Sequence, residues 1–199
     1  MNSFRSPNGR NQIDYTLVRS SRTTVSIQLQ PDGSVLVRAP LRMREADIRR
    51  FVQSKADWIE SHRAKLTQRQ AALSKIEKLT DQELDALHRQ AKLVFPERVH
   101  YYAPLVGVSY GKITIRSQHT RWGSCSARGN LNFNCLLMLA PPEVLDSVVV
   151  HELCHRKQMN HSPAFYREVY RVFPEYDKWH QWLKQNGPAL MQRLPEQED

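Results

Sequence analysis

Cysteine is scarce here, with only Cys125, Cys135 and Cys154 in 199 residues. They are too few and too widely spaced for a disulfide framework, and the missing Cys-x-x-Cys pair argues against a thiolate zinc knuckle. Long apolar runs are missing as well. None approaches the ~18 residues of a membrane span, and the stretch VLDSVVVHEL is cut by Asp146. The N-terminal MNSFRSPNGRNQIDY is polar and lacks the apolar centre of a signal peptide. These absences lead to the expectation of a soluble, cytoplasmic protein in a reducing compartment, without a membrane partner. There is no internal repeat, no low-complexity segment and no glycine-rich phosphate loop. With 40% hydrophobic and 25% charged residues, the composition is that of a globular chain.

What is abundant is positive charge, and it is unevenly placed. The net charge is +9, yet residues 1–70 carry 13 lysines and arginines against six acids, while residues 118–199 carry nine of each. A basic N-terminal region attracts anions, which makes nucleic acid a candidate partner. No aromatic-rich nucleic-acid motif accompanies the charge, and a solvated face that keeps the chain soluble is the plainer account.

Alternating apolar and polar residues in TTVSIQLQPDGSVLVRAP predict a β-hairpin around Pro31-Asp32-Gly33, with DYTLVRS as a third strand before it. A basic helix follows over MREADIRRFVQSKADWIESHRAKL, with Arg42, Arg44, Arg49, Arg50, Lys55 and Arg63 on its polar face. Thr80 and Glu83 form a capping box that opens the next helix. Pro96 is expected to end it and start another that reaches about Gly107. GKITIRS and GNLNFNCLLML read as paired strands, joined by the long connection QHTRWGSCSAR. From Pro142 to about Met159 the pattern is helical and apolar on every side, which predicts a buried central helix. Ser162-Pro163 suits the start of a further helix, and a last one, EYDKWHQWLKQN, is expected to stop at Gly187.

The chemistry sits in VVVHELCHRKQMNHSP, residues 148–163. His151 and His155 are four residues apart, one turn above each other on a helix, so both imidazoles reach one ion. Glu152 lies beside them, offset from the pair, in the H-E-x-x-H arrangement where a glutamate serves as general base to a zinc-activated water. A catalytic zinc needs a third protein ligand. His161, six residues beyond His155 and after a helix break, is the favoured one; Glu168 and Glu175 compete as downstream carboxylates. The spacing to His161 is that of the metzincins, although Gln158 stands where they carry glycine.

A longer stretch, TRWGSCSARGNLNFNCLLMLAPPEVLDSVVVHELCHRKQMNHSPAFYREVYRVFPEY, resembles the YgjP-like metal-dependent hydrolases, a group of zinc metallopeptidases. The N-terminal hairpin and FVQSKADWIESH are similar to that family's leading region, so the likeness spans about residues 15–190. The resemblance implies a zincin-like α+β fold with a central HExxH helix, a small antiparallel sheet, and an N-terminal hairpin with its basic helix. It also implies one catalytic Zn2+ on His151, His155 and His161, with Glu152 catalytic. The expected organisation is an N-terminal region over 1–75, a catalytic region over 76–190 and a polar tail over 191–199. The loop before the second strand is expected to line the cleft, with Arg121, Trp122, Ser124 and Asn134 as substrate-binding residues. Tyr166 and Tyr176 are candidate oxyanion donors. Cys125 is not expected to act as a nucleophile, and His62, His88, His100 and His180 read as ordinary histidines.

Three functions follow. The first is a zinc-dependent metallopeptidase acting on a peptide bound along an edge strand. The second, suggested by the basic N-terminal region, is a metal-dependent nucleoside triphosphate phosphohydrolase. The third is a nucleic-acid-associated protein carrying a zincin domain.

Overall fold

The computed structural model describes residues 13–195; the first residues of the N-terminal region and residues 196–199 of the expected tail lie outside the described residues. The chain divides into two compact units, one up to Lys75 and one from Ile76.

In the first unit, strands β1 (Thr16–Ser20), β2 (Ser26–Leu29) and β3 (Val35–Pro40) form a sheet in the order β1-β3-β2. β2 and β3 are the antiparallel hairpin, whereas β1 joins β3 in parallel. The turn is held by Asp32, whose carboxylate accepts from the Ser34 backbone and hydroxyl, and by Gly33 at φ +81°. Central β3 turns Val35, Val37 and Ala39 inward, where they meet Ile48, Val52 and Ile59 from two helices. The expected single basic helix is two, α1 (Glu45–Gln53) and α2 (Ala56–Leu73), broken at Ser54–Lys55. The polar stretch after Leu66 continues α2 to Leu73.

The second unit opens on α3 (Asp81–Val106), a 26-residue helix. Its capping box is formed as expected: Glu83 N–H donates to Thr80 Oγ1, and the Glu83 carboxylate accepts from Thr80 N–H at 2.8 Å. Contrary to expectation, Pro96 does not end the helix. It lies on the exposed face, as does Lys92, whose carbonyl loses its helical partner to the proline and can turn to water. The opposite face buries Leu87, Ala91, Phe95, Val99 and Val106, and that packing outweighs one missing hydrogen bond. Gly107 then ends the helix in the left-handed region.

β4 (Ile113–Arg116), β5 (Gly123–Cys125) and β6 (Leu131–Asn134) make a second sheet in the order β4-β6-β5. β4 runs parallel to β6 and β5 antiparallel to it, so this sheet is mixed, where an antiparallel one was expected. The reason lies in the long connection. It contains its own strand, the Gly-Ser-Cys of WGSC, which hairpins onto β6 and takes the edge position. The LLML that follows does not extend β6 but forms a 3-10 helix over Cys135–Leu139, capped by Asn134.

α4 (Pro142–Cys154) is buried nearly all round, as its apolar pattern requires. It stops at Cys154, five residues short of the expected Met159, with His155 as C-cap. α3 and α4 are joined by a forked pair in which Arg98 donates to both Asp146 oxygens at 2.7 and 2.6 Å, while Tyr102 adds its hydroxyl at 3.1 Å. α5 (Pro163–Val172) starts as expected, with Ser162 capping Phe165 N–H. α6 (Tyr176–Gln192) does not stop at Gly187. That glycine is instead a point of close approach: a Cβ there would lie 2.9 Å from Cζ2 of Trp122. The helix passes through Pro188 to Gln192, and Leu194 beyond it is buried.

Candidate active site

α4 presents His151 and Glu152 from its last turn and His155 from its cap. The chain then turns over residues 156–158, held by amides that donate to Leu153 and Cys154 carbonyls, and returns His161 just before α5. One ligand atom from each of the three histidines lies within 4.8 Å of the other two. Nε2 of His151 and Nε2 of His161 are 3.1 Å apart. Two nitrogens at tetrahedral positions about 2.05 Å from one zinc ion would be separated by about 3.3 Å, so this spacing fits a shared ion.

The other ring nitrogens are tied down. His155 Nδ1 donates to the Gln158 carbonyl at 3.1 Å, which leaves its Nε2 unprotonated and free to coordinate. His151 Nδ1 lies 2.8 Å from the Tyr176 hydroxyl. Beneath the cluster is Phe165, fully buried, its ring centroid 4.9, 4.7 and 5.0 Å from His151, His155 and His161. Burial and the neighbouring imidazoles depress His151 to about 3, and burial also lowers His155. Both rings are therefore neutral at physiological pH, the form in which imidazole binds a metal.

Glu152 is 6% exposed, and burial pushes its carboxyl up to about 8. It packs against Gly123 so closely that a Cβ on that residue would lie 2.7 Å from Oε1 and 2.8 Å from Cγ. Glycine after Trp122 is thus required for strand β5 to pass over the carboxylate. Two clefts flank this point. One, of about 230 Å³, is lined by Arg121, Trp122, Val148, Tyr176, His180 and Leu183 together with His151 and Glu152. The other has Arg121, Ser124, Cys125, Met159 and His161 at its walls, again with His151 and Glu152.

Of the residues singled out in the sequence, Arg121, Trp122 and Ser124 line these clefts. Asn134 does not. It is 2% exposed, and its amide donates to the Gln118 and Arg121 carbonyls, so it holds the loop that carries Arg121. The rival carboxylates are committed elsewhere: Glu168 pairs with Lys157 and Arg171, and Glu175 with Lys178. Cys125 borders the site, but burial and the Glu152 charge raise its thiol pKa, which disfavours a thiolate nucleophile. Tyr166 approaches only the edge of the cluster, its ring 6.3 Å from His161. His180, an ordinary histidine by sequence, lines the same cleft as Glu152. Its signal was the four-residue spacing from Tyr176, which puts both on one face of α6.

Among the described residues, six α-helices and two small sheets form a mixed fold in which a buried carboxyl lies beside three imidazoles close enough together to hold one metal ion. Residues 23–85 and 74–186 match the model of the YgjP-like family, metallopeptidase domain, and the chain belongs to that family. Two solved structures are similar at 22% identity and a TM-score of 0.42. They are the metallopeptidase zymogens of Pyrococcus abyssi abylysin and Methanocaldococcus jannaschii jannalysin. The likeness covers 46% of this chain, with 94% of the first and 95% of the second. Comparison with curated proteins gives no match. Among the described residues no helix is long and apolar enough to cross a membrane.

Proposed function

We propose that this chain is a zinc-dependent metallopeptidase in which His151, His155 and His161 hold one ion and Glu152 is the general base. The observation that carries the reading is the convergence of three imidazoles beside a buried carboxyl in a YgjP-like metallopeptidase chain. The donor set is all-nitrogen and suits zinc, and three protein ligands would leave a further position for water. Bound there, zinc would supply Lewis-acid chemistry, bringing the pKa of a coordinated water to about 7 and polarising the substrate oxygen.

Glu152 takes the proton of the attacking water at its carboxylate and returns it to the leaving amine. One buried carboxyl beside the imidazole cluster can serve as base and then as acid within a single turnover. Packing against Gly123 on one side fixes where that carboxyl points.

A peptide substrate is favoured by the geometry of β5, which lies at the sheet edge beside Glu152. The Trp122 carbonyl accepts from Asn134 N–H, and Ser126 N–H donates to the Asn130 carbonyl, so alternate residues face β6. The intervening Gly123 and Cys125 turn their N–H and C=O groups to the free edge, where an extended chain adds by main-chain pairing.

The test is a zinc-loaded assay of the unaltered chain and Glu152→Gln against a peptide library and a nucleotide panel. The expected result is peptide turnover reduced by about 10²–10⁴-fold in the variant with zinc content unchanged. Undiminished turnover would remove the glutamate from the reaction. Loss confined to the nucleotide panel would replace the peptidase reading with a phosphohydrolase.

A further inference from the structure

Resting on that reading, the structure assigns a hydrogen-bond relay from His151 through Tyr176 to His180, with two consequences. Tyr176 is a positioning residue for a metal ligand, and His180 is a donor to the substrate carbonyl oxygen as it becomes negative.

The distances define the chain of bonds. Tyr176 Oη is 2.8 Å from His151 Nδ1 and 3.3 Å from His180 Nδ1. Its ring lies near-parallel to both imidazoles, at interplanar angles of 15° and 19°. The residue is 3% exposed, at the first position of α6. Proton counting then sets the direction. His151 uses Nε2 toward the imidazole cluster, so a neutral ring carries its proton on Nδ1 and donates to Tyr176 Oη. A phenol has one proton to give, and among the described residues the remaining acceptor within reach is His180 Nδ1. His180 therefore holds its own proton on Nε2.

That Nε2–H has no hydrogen-bond partner among the described residues, and His180 lines the cleft that also exposes Glu152 and Arg121. An imidazole N–H fixed from behind by Tyr176, in the cleft where the carbonyl is attacked, meets the requirement for oxyanion stabilisation. A donor already oriented needs no rearrangement as charge develops. No proton is transferred in this role; the N–H donates a hydrogen bond and keeps its hydrogen. Tyr176 itself is excluded as an oxyanion donor because its single proton is directed to His180.

The two roles separate experimentally. Tyr176→Phe keeps the ring and removes the hydroxyl, and should weaken zinc affinity by about 10–100-fold in competition with a chelator, a readout independent of turnover. His180→Ala should leave zinc affinity within about twofold and lower kcat by about 100-fold with KM little changed; His180→Gln, which retains an N–H donor, should recover part of that loss. Circular dichroism of each variant confirms folding. Unaltered zinc affinity in Tyr176→Phe, or unaltered kcat in His180→Ala, would overturn the relay while the metal reading stands. Failure of the unaltered chain to bind zinc would bring down both.

Discussion

The two units handle charge differently. In the first, the ion pairs are local: Arg49 with Glu45, Arg50 and Arg44 with Asp47, and Arg63 with Glu60, each three or four residues apart on an exposed helix face. Its long-range contacts by charged groups are arginines on carbonyls, Arg19 to Pro40, Leu41 and Met43 and Arg63 to Gly33. The second unit has local pairs as well, Arg171 with Glu168 and Lys178 with Glu175, but there charged groups also pair across elements distant in sequence. Arg98 holds Asp146 across 48 residues; Arg171 reaches the Leu105 and Val106 carbonyls that end α3; Arg156 ties Ser109 and Ala127 to the end of α4. The first pattern adjusts a surface, and the second frames a site. It also changes the reading of the basic N-terminal region, where four of the six arginines and lysines expected on its polar face have acidic neighbours.

The comparison is broken most severely at Asp146. Asp146→Ala would leave Arg98 and the Tyr102 hydroxyl without their shared acceptor between α3 and α4. Removing one member of a buried pair costs about 3–5 kcal/mol, but the Arg98 side chain is 37% exposed and regains some hydration, so about 2–3 kcal/mol is expected. A urea titration followed by circular dichroism measures it. A change under 0.5 kcal/mol would show that this long-range pair is no different from the surface ones.

Next in size is a pair of glycines, one from each unit. Gly123→Ala drives a methyl group into the Glu152 carboxyl, which must shift toward the flanking clefts to make room. The expected costs are about 1–3 kcal/mol of stability and about a 100-fold loss of turnover, because the base is displaced by a fraction of an ångström to an ångström. Gly33→Ala meets nothing within 4 Å and is strained only by its φ of +81°. It should cost about 1 kcal/mol and leave hydrolysis unchanged. Equal kinetic effects at the two positions would refute the claim that Gly123 serves the carboxyl.

How much of this was legible beforehand follows from the range of each signal. The Thr80–Glu83 capping box, the Ser162 cap and the histidine spacing are local patterns, and each is found where the sequence put it. Errors arose where tertiary packing overrides a local rule. Pro96 is tolerated because its side of α3 is solvated, and Gly187 is small because Trp122 lies against it. By local rules both proline and glycine are punctuation, yet neither ends its helix. β5 was invisible for another reason: three residues give no periodicity, and the strand exists only because β6 is there to pair with it. Asn134 was the converse case, a polar residue near the site whose hydrogen bonds turn inward to hold the loop.

The smallest effect sharpens the comparison from the surface side. Asp47→Ala removes the partner of both Arg50 and Arg44, whose side chains are 78% and 90% exposed. Such pairs gain little over hydration and are screened by salt over about 8–10 Å, so the change in unfolding free energy should stay below about 0.5 kcal/mol. The informative readout is electrostatic. Freeing two arginines raises the positive potential of α1, and affinity for a short DNA duplex should rise at low salt and lose the gain as salt increases. If the unaltered chain already binds duplex DNA tightly with a steep salt dependence, the local acids do not neutralise this face, and the contrast between the two units fails on its N-terminal side.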